Sequence, residues 1–290
     1  MKVAVTTLAF CVAGLLALGL VMLYSASLAL HDRTGLEVGS RMLQRQAVWC
    51  ALGLVACAVM TLLDYQWLKK FAWPLLIAAI FLASVVFVPH LGYQKNGAYR
   101  WIRFSGMTFQ PSEFVKIALI IMLAWYCDRS QRKMDTFKRG IIFPSFIIIA
   151  ALALVFIEPD RGTTILMCAI SGIMLLVAGV RLPHLILPAL AGAGALVVSI
   201  MHDPMRMNRI AAWLHPQEHI QGAALQAQQG MIAIGSGGLT GLGLGSGLQK
   251  LGYVPEIETD YILASIGEEL GLIATLFVVV AFLLIGVCGM

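Results

Sequence analysis

Three acids stand immediately before a long apolar segment in the stretch Lys250-Leu-Gly-Tyr-Val-Pro-Glu-Ile-Glu-Thr-Asp-Tyr-Ile-Leu-Ala-Ser-Ile-Gly-Glu-Glu-Leu-Gly271. The acids are Glu256, Glu258 and Asp260, and most of the chain before them is apolar as well. A carboxylate at the edge of a bilayer is costly unless a ligand or a partner uses it. We therefore expect chemistry at the entrance to this segment.

The composition predicts a membrane protein. Hydrophobic residues make up 60% of the 290 residues and charged residues only 12%, against about 25% charged residues in soluble domains. The net charge of +5 is scattered over short loops, so it does not indicate nucleic-acid binding. The fold class that we predict is all-α, a polytopic bundle of transmembrane helices that forms a single membrane domain over residues 1–290.

Apolar segments of bilayer-spanning length give the number of crossings, since a spanning helix needs about 17–25 residues. We find eight candidates, at 3–30, 42–63, 71–89, 113–127, 141–157, 163–180, 183–201 and 261–289. Residues 202–260 are predicted to form a large loop before the last span. We expect about eight spans.

The distribution of lysine and arginine predicts the orientation. The loops 64–70, 128–140 and 180–183 are short and basic. Because basic loops stay in the cytoplasm, the N-terminus is predicted to be cytoplasmic. The segments 90–112 and 202–260, with the acidic cluster, then face outward.

Charged residues also surround the predicted start of the fourth span. Pro111 suits the first turn of a helix, and Glu113 and Lys116 are three residues apart, on one helix face. They form either an ion pair that only seats the helix or, with Arg100 and Arg103 upstream, a cationic site for an anion such as a diphosphate.

Two further segments leave alternatives open. In the tight turn 158–164, Asp160 either forms a solvated pair with Arg161 or points into a shared cavity. The glycine-rich residues 235–247 form either a flexible hinge or, through the spacing of Gly237, Gly241 and Gly245, a closely packed contact.

A metal site is a separate hypothesis. Glu256, Glu258 and Asp260 alternate, so in an extended chain their side chains face one way. Their oxygens suit a hard divalent cation such as Mg²⁺ or Mn²⁺. The identity of any metal stays open.

Several motifs together resemble the SEDS family, whose members include FtsW, RodA and SpoVE. They are Leu-Tyr-Ser-Ala-Ser at 23–27, Asn-Gly-Ala-x-Arg-Trp-Ile at 96–102, Phe-Gln-Pro-Ser-Glu-Phe-x-Lys at 109–116, Glu-Pro-Asp-x-Gly-Thr at 158–163, Ala-Ile-Gly-Ser-Gly-Gly at 233–238 and Pro-Glu-x-x-Thr-Asp-Tyr at 255–261. The segments 249–250 and 266–271 are closer to the FtsW branch than to RodA.

The resemblance implies a peptidoglycan glycosyltransferase in the bacterial cytoplasmic membrane that polymerises lipid II at the outer face. The implied partners are a class B penicillin-binding protein, which is a transpeptidase, and other membrane proteins of the divisome or elongasome. The family's essential acid corresponds to Asp260, and Glu258 stands where the family commonly has histidine. Members have about ten spans, so we expect either a truncated chain or a short homologue.

The mechanism that we expect uses Asp260 as the general base for an incoming sugar hydroxyl. Arg100 and Lys116 would stabilise the diphosphate leaving group. Glu113 and Asp160 would orient these groups, and Gln110 and Glu256 complete the candidate substrate-binding residues. A lipid II flippase and a non-catalytic scaffold for a transpeptidase are the alternatives.

Overall fold

The computed structural model describes residues 2–34, 37–88, 92–95, 98–104, 107–158, 160–215, 224–249 and 260–289. The α-helices in these ranges are α1 (Lys2–Thr34), α2 (Glu37–Leu62), α3 (Gln66–Val85), α4 (Pro111–Ser130), α5 (Phe143–Ile157), α6 (Arg161–Val177), α7 (Leu182–Met201), α8 (Pro204–Leu214), α9 (Leu225–Ser236) and α10 (Ile262–Gly289). A 3₁₀ helix, Gln131–Lys133, follows α4, and a π-helical turn, Lys138–Ile142, leads directly into α5. The predicted helical fold class is confirmed. The chain divides into two compact units, Met1–Val59 with Asp203–Met290 and Met60–His202.

Within the described ranges, six helices are long and apolar enough to cross a membrane. These spans are Lys2–Ala26, Arg41–Leu62, Gln66–Val85, Lys138–Ile157, Leu182–Met201 and Ile262–Gly289. Most of each of the eight apolar segments predicted from the sequence lies on a helix. However, the segments at 113–127 and 163–180 lie on α4 and α6, which are not among the six. The multi-pass architecture is therefore clear, and the count of eight spans stays a prediction.

The core of the second unit forms where α3 packs against α4. Buried alanines line the contacting face of α3, at positions 72, 79 and 83. Small side chains let the backbones of membrane helices approach closely. Val115, Leu119 and Met122 of α4 fill the space opposite, and buried residues of α5 and α6 extend the same cluster.

A small antiparallel sheet precedes α4. Its strands are β1 (Gly92–Lys95), β2 (Ala98–Phe104) and β3 (Met107–Phe109), in the order β1-β2-β3. These strands lie in the segment 90–112, which was predicted from the sequence as a loop without strands. The sheet matters for the site because β2 carries Arg100 and β3 leads through Gln110 into α4.

The first unit is built on the packing of α1 along α10. Met22 of α1 and Ile266 and Val278 of α10 form its buried apolar cluster. The two helices come from opposite ends of the chain, so this contact closes the unit.

The prediction of one large loop over 202–260 needs correction. The described part of it contains two helices, α8 and α9. The side chain of Asp203 accepts hydrogen bonds from the N–H groups of Met205 and Arg206, and Pro204 occupies the first turn of α8. An aspartate cap followed by proline is a helix-start signal that the sequence analysis overlooked. The outward orientation of this region stays a prediction.

Candidate active site

Asp160 caps the N-terminus of α6. Its Oδ1 accepts from the N–H of Thr163 at 3.2 Å, and its Oδ2 accepts from the Thr163 hydroxyl at 3.0 Å. The side-chain amide of Gln110 donates to the same Oδ2 at 3.1 Å. Asp160 is only 8% exposed, so the alternative of a solvated carboxylate is wrong. The carboxylate is fixed by donors from two elements.

Arg100 of β2 reaches the same turn. Its Nε donates to the main-chain oxygen of Glu158 at 3.2 Å, and its Nη1 lies 3.9 Å from Oδ1 of Asp160. The side chain keeps about a third of its surface exposed. The structure thus brings together three predicted site residues, Arg100, Gln110 and Asp160, and leaves part of the Arg100 side chain exposed.

Glu113 and Lys116 form a close ion pair at the start of α4. Lys116 Nζ donates to Oε2 of Glu113 at 2.7 Å. Pro111 and Glu113 occupy the first turn, as the sequence predicts, where a negative charge favours the helix dipole. The ion pair that the sequence offered as one alternative is present. A role of Lys116 in binding an anion stays a prediction.

Glu158, at the end of α5, is a residue that the sequence analysis quoted in a motif but did not select. It is completely buried, and neither carboxylate oxygen has a hydrogen-bond partner among the described residues. Its pKa is raised from 4.5 to about 7, mainly by burial and also by the charge of Asp160, while Arg100 opposes the rise. An acid at the end of an apolar span was the available signal.

Asp260 lies two residues before α10, and it is exposed. It belongs to the first unit, whereas Arg100, Gln110, Glu113, Lys116 and Asp160 belong to the second. The shared site that the sequence analysis predicts for them therefore stays a prediction.

The predicted metal site also stays a prediction. Glu256 and Glu258 lie outside the described residues. Within the described ranges, no three histidine, cysteine, aspartate or glutamate side chains come together in a way that suits a metal ion.

A second buried acidic group, the Glu268–Glu269 pair, lies inside α10. Both residues are 1% exposed. Glu268 Oε1 accepts from the N–H groups of Leu248 at 2.8 Å and Gln249 at 3.2 Å. Glu269 accepts from the hydroxyl of Ser25 at 2.6 Å and from the N–H of Gly245 at 2.9 Å. This buried pair was not predicted from the sequence, although two acids inside an apolar run are themselves a signal.

The glycine segment, residues 235–247, joins α10 at a break in that helix. Gly271 has φ +77° and interrupts the helical backbone. Main-chain hydrogen bonds then run between the segment and both sides of the break: Leu242 N–H to Glu268 O, Gly243 N–H to Glu269 O, Leu272 N–H to Gly238 O and Ile273 N–H to Leu239 O, at 2.9, 3.0, 3.0 and 3.3 Å. The segment therefore replaces hydrogen bonds that the helix lacks at the break.

Two glycines are required by this contact. A Cβ on Gly237 would collide with the main chain of Gly267, and one on Gly241 with the main chain of Glu269. The close packing that the sequence offered as an alternative is confirmed at these two positions. Gly245 instead has open space around a Cβ and a φ of +83°.

Comparison with known families decides the identity of the chain. The model of the FtsW/RodA/SpoVE family, described as cell cycle protein, matches residues 6–290. The chain belongs to this family. The SEDS resemblance stated above is thus confirmed.

Relatives of this FtsW/RodA/SpoVE chain include the probable peptidoglycan glycosyltransferase FtsW of Trichlorobacter lovleyi, which is 36% identical over 94% of this chain and 72% of its own length. The protein of the same name from Geobacter sulfurreducens is 37% identical over 93% and 72%. Stage V sporulation protein E of Bacillus subtilis is 34% identical over 92% and 73%.

Solved structures show the same fold. The rod shape determining protein RodA of Thermus thermophilus superimposes with a TM-score of 0.64 at 24% identity, covering 96% of this chain and 71% of that one. A second solved structure is a chain of a peptidoglycan synthase complex, whose description is the structural coordination of polymerization and crosslinking. It superimposes with a TM-score of 0.71 at 22% identity, covering 96% of this chain and 74% of that one.

Proposed function

We propose that this protein is a peptidoglycan glycosyltransferase that polymerises lipid II at the outer face of the bacterial cytoplasmic membrane. The supporting observation is its likeness, over more than nine-tenths of the chain, to relatives named as probable peptidoglycan glycosyltransferases. The grouping of a cation with polar anchors, Arg100 with Gln110 and Asp160, suits a phosphate-bearing substrate.

The reaction forms one glycosidic bond for each disaccharide added. The 4-hydroxyl of an N-acetylglucosamine attacks the anomeric carbon of the sugar that carries the lipid diphosphate. The C–O bond to the diphosphate breaks, the diphosphate leaves with the electron pair, and Asp260 accepts the hydroxyl proton as general base. A single direct displacement inverts the anomeric centre, so an α-linked donor gives a β-linked glycan.

Arg100 and Lys116 stabilise the negative charge that develops on the diphosphate. Asp160 and Gln110 hold Arg100 in place through the contacts at the start of α6, and Glu113 orients Lys116. Glu256 completes the proposed substrate-binding residues. A divalent cation such as Mg²⁺ or Mn²⁺ is an optional helper for the diphosphate charge.

The proposed partner is a class B penicillin-binding protein, which crosslinks the strands that this enzyme makes. The support is the fold likeness to a chain of a peptidoglycan synthase complex whose description joins polymerization with crosslinking. Other divisome or elongasome membrane proteins are proposed as further partners.

The proposed orientation places the N-terminus in the cytoplasm. The support is the basic composition of the loops 64–70 and 128–140.

Purified protein with labelled lipid II tests the activity. We expect glycan polymer from the wild-type protein and at least about a hundredfold less from Asp260→Asn, because the variant lacks the base. Asp128→Asn is the matched control, since Asp128 is an exposed carboxylate paired with Lys69 at 2.9 Å, and it should polymerise normally.

Three results would contradict parts of the proposal. Normal polymer from Asp260→Asn would remove Asp260 as the base. Lipid II flipping in vesicles without polymer would favour the transporter alternative. Transpeptidase recruitment that survives Asp260→Asn, with no polymer from the wild type, would favour the scaffold.

A further inference from the structure

Glu158 combines two features that rarely occur together. Its carboxyl group is fully buried without a hydrogen-bond partner among the described residues, while its main-chain oxygen holds Nε of Arg100 at 3.2 Å. Native proteins leave few buried polar groups unsatisfied, and those that remain call for an explanation. Asp160, the other acid in the turn, caps α6. That role does not explain why the Glu158 carboxyl is buried without a partner.

The charges around this carboxyl define what its ionisation would do. Arg100 from β2 and Asp160 from the same turn act on it with opposite signs. Arg161, next in the chain, donates to the main-chain oxygen of Phe156 at 2.9 Å and lies over the Phe156 ring. On α4, Lys116 is paired with Glu113. When Glu158 is neutral, Arg100 faces one charged carboxylate of this turn, that of Asp160. When Glu158 is ionised, Arg100 faces two carboxylates.

We propose that Glu158 is a positioning residue for Arg100, and that its proton controls how well Arg100 binds the diphosphate of the substrate. With the proton on Glu158, the guanidinium contacts the Glu158 carbonyl and Asp160, and the exposed third of the Arg100 side chain faces the ligand without a second negative charge in this turn. Loss of the proton adds a negative charge beneath Arg100, which draws the guanidinium inward and repels the diphosphate. This proposal rests on the proposed function, which supplies the diphosphate ligand.

The sign of the pH effect follows from the environment of the group. The pKa of Glu158 is raised to about 7 by burial and by Asp160, so the proton leaves as the pH rises through neutrality. Diphosphate binding should therefore weaken between about pH 6 and about pH 8. One added charge at close range corresponds to an expected loss of about tenfold in affinity.

The kinetic test measures KM and kcat for lipid II across this pH range. The wild-type KM should rise about tenfold, whereas Glu158→Gln, which stays neutral, should keep a low and constant KM. The pH dependence of kcat, which reports the general base, should be the same in both proteins. The control is Asp135→Asn, because Asp135 is an exposed carboxylate paired with Arg181 at 3.3 Å, and it should follow the wild type. An equal rise of KM in Glu158→Gln would overturn the proposal.

Two further measurements do not depend on polymerase activity. Infrared titration of the wild-type protein should show a buried carboxylic-acid band that disappears as the pH passes neutrality and that is absent in Glu158→Gln. Binding of inorganic diphosphate, measured by calorimetry, should weaken at the higher pH in the wild type only. A wild-type protein without the band, or with equal diphosphate affinity at both pH values, overturns the proposal. Failure of the proposed function would appear separately, as absence of polymer.

Discussion

The Glu268–Glu269 pair in the first unit and Glu158 in the second are buried to the same degree, yet their surroundings differ. Glu268 and Glu269 accept hydrogen bonds from main-chain N–H groups and from Ser25. Glu158 has no such donor among the described residues. Equal burial therefore gives opposite situations, one group anchored by hydrogen bonds and one left with a raised pKa.

This difference in hydrogen bonding separates acids that stabilise the fold from an acid that acts in the proposed site. A satisfied buried carboxylate fixes the groups around it, because moving any donor away costs a hydrogen bond. An unsatisfied one gains nothing from being charged, so its proton is free to respond to the pH and to neighbouring charges. We infer a structural role for the pair and a responsive role for Glu158.

The largest expected change in stability comes from substitution of Glu268. Glu268→Leu removes the acceptor of the Leu248 and Gln249 N–H groups, and each orphaned donor costs about 1–3 kcal/mol. We expect the free energy of unfolding, measured with denaturant in mixed micelles, to fall by about 2–6 kcal/mol. Glu268→Gln keeps one acceptor oxygen and should lose less. Two variants with wild-type stability would refute the structural role of the pair.

The next effect concerns the stability of the second unit as a function of pH. The pKa of Glu158 rises from 4.5 to about 7 on folding, so the folded state binds its proton more tightly than the unfolded state. Its contribution is complete below about pH 4.5 and is lost as the pH rises to about 7, by about 3 kcal/mol in total. Glu158→Gln should not show this decline, and above pH 7 it should be the more stable protein. A parallel decline in both proteins would contradict the raised pKa.

The smallest effect probes a single donor to the pair. Ser25→Ala removes the hydroxyl that donates to Glu269, while the N–H of Gly245 remains. We expect a loss of about 1 kcal/mol in the same unfolding measurement, as for a typical intramolecular hydrogen bond. Thr6→Ala is the control on the same helix, because the Thr6 hydroxyl is exposed and bonds only locally to Lys2. Equal losses in the two variants would show that Ser25 contributes nothing specific.

The sequence predicts the parts of the molecule that depend on local pattern. Most of each predicted apolar segment lies on a helix, because a continuous apolar run in a membrane leaves the backbone no other way to pair its polar groups. Pro111 begins α4, and Glu113 pairs with Lys116, since both features depend on neighbours within one turn.

The missed features depend on residues far apart in the chain. Ser25 meets Glu269 across 244 positions, and Gly245 meets it across 24. Neither spacing has a local signature. The sheet before α4 and the burial of Glu158 likewise depend on packing between elements, which residue spacing does not encode. Three predicted site residues do come together at Asp160, whereas their roles in catalysis stay predictions.

The break at Gly271 has a consequence for how this protein tolerates change. From Gly238 to Gly243 the glycine segment bridges the break through main-chain hydrogen bonds, so the identity of a side chain there matters where it would collide or where a positive φ disfavours it, as at Gly238 and Gly243. The number of residues matters at every position. An inserted or deleted residue between Leu239 and Leu242 would put the two bonds on one side of the break out of register with the two on the other side, so we expect the length of this segment to be the property that variation can least alter.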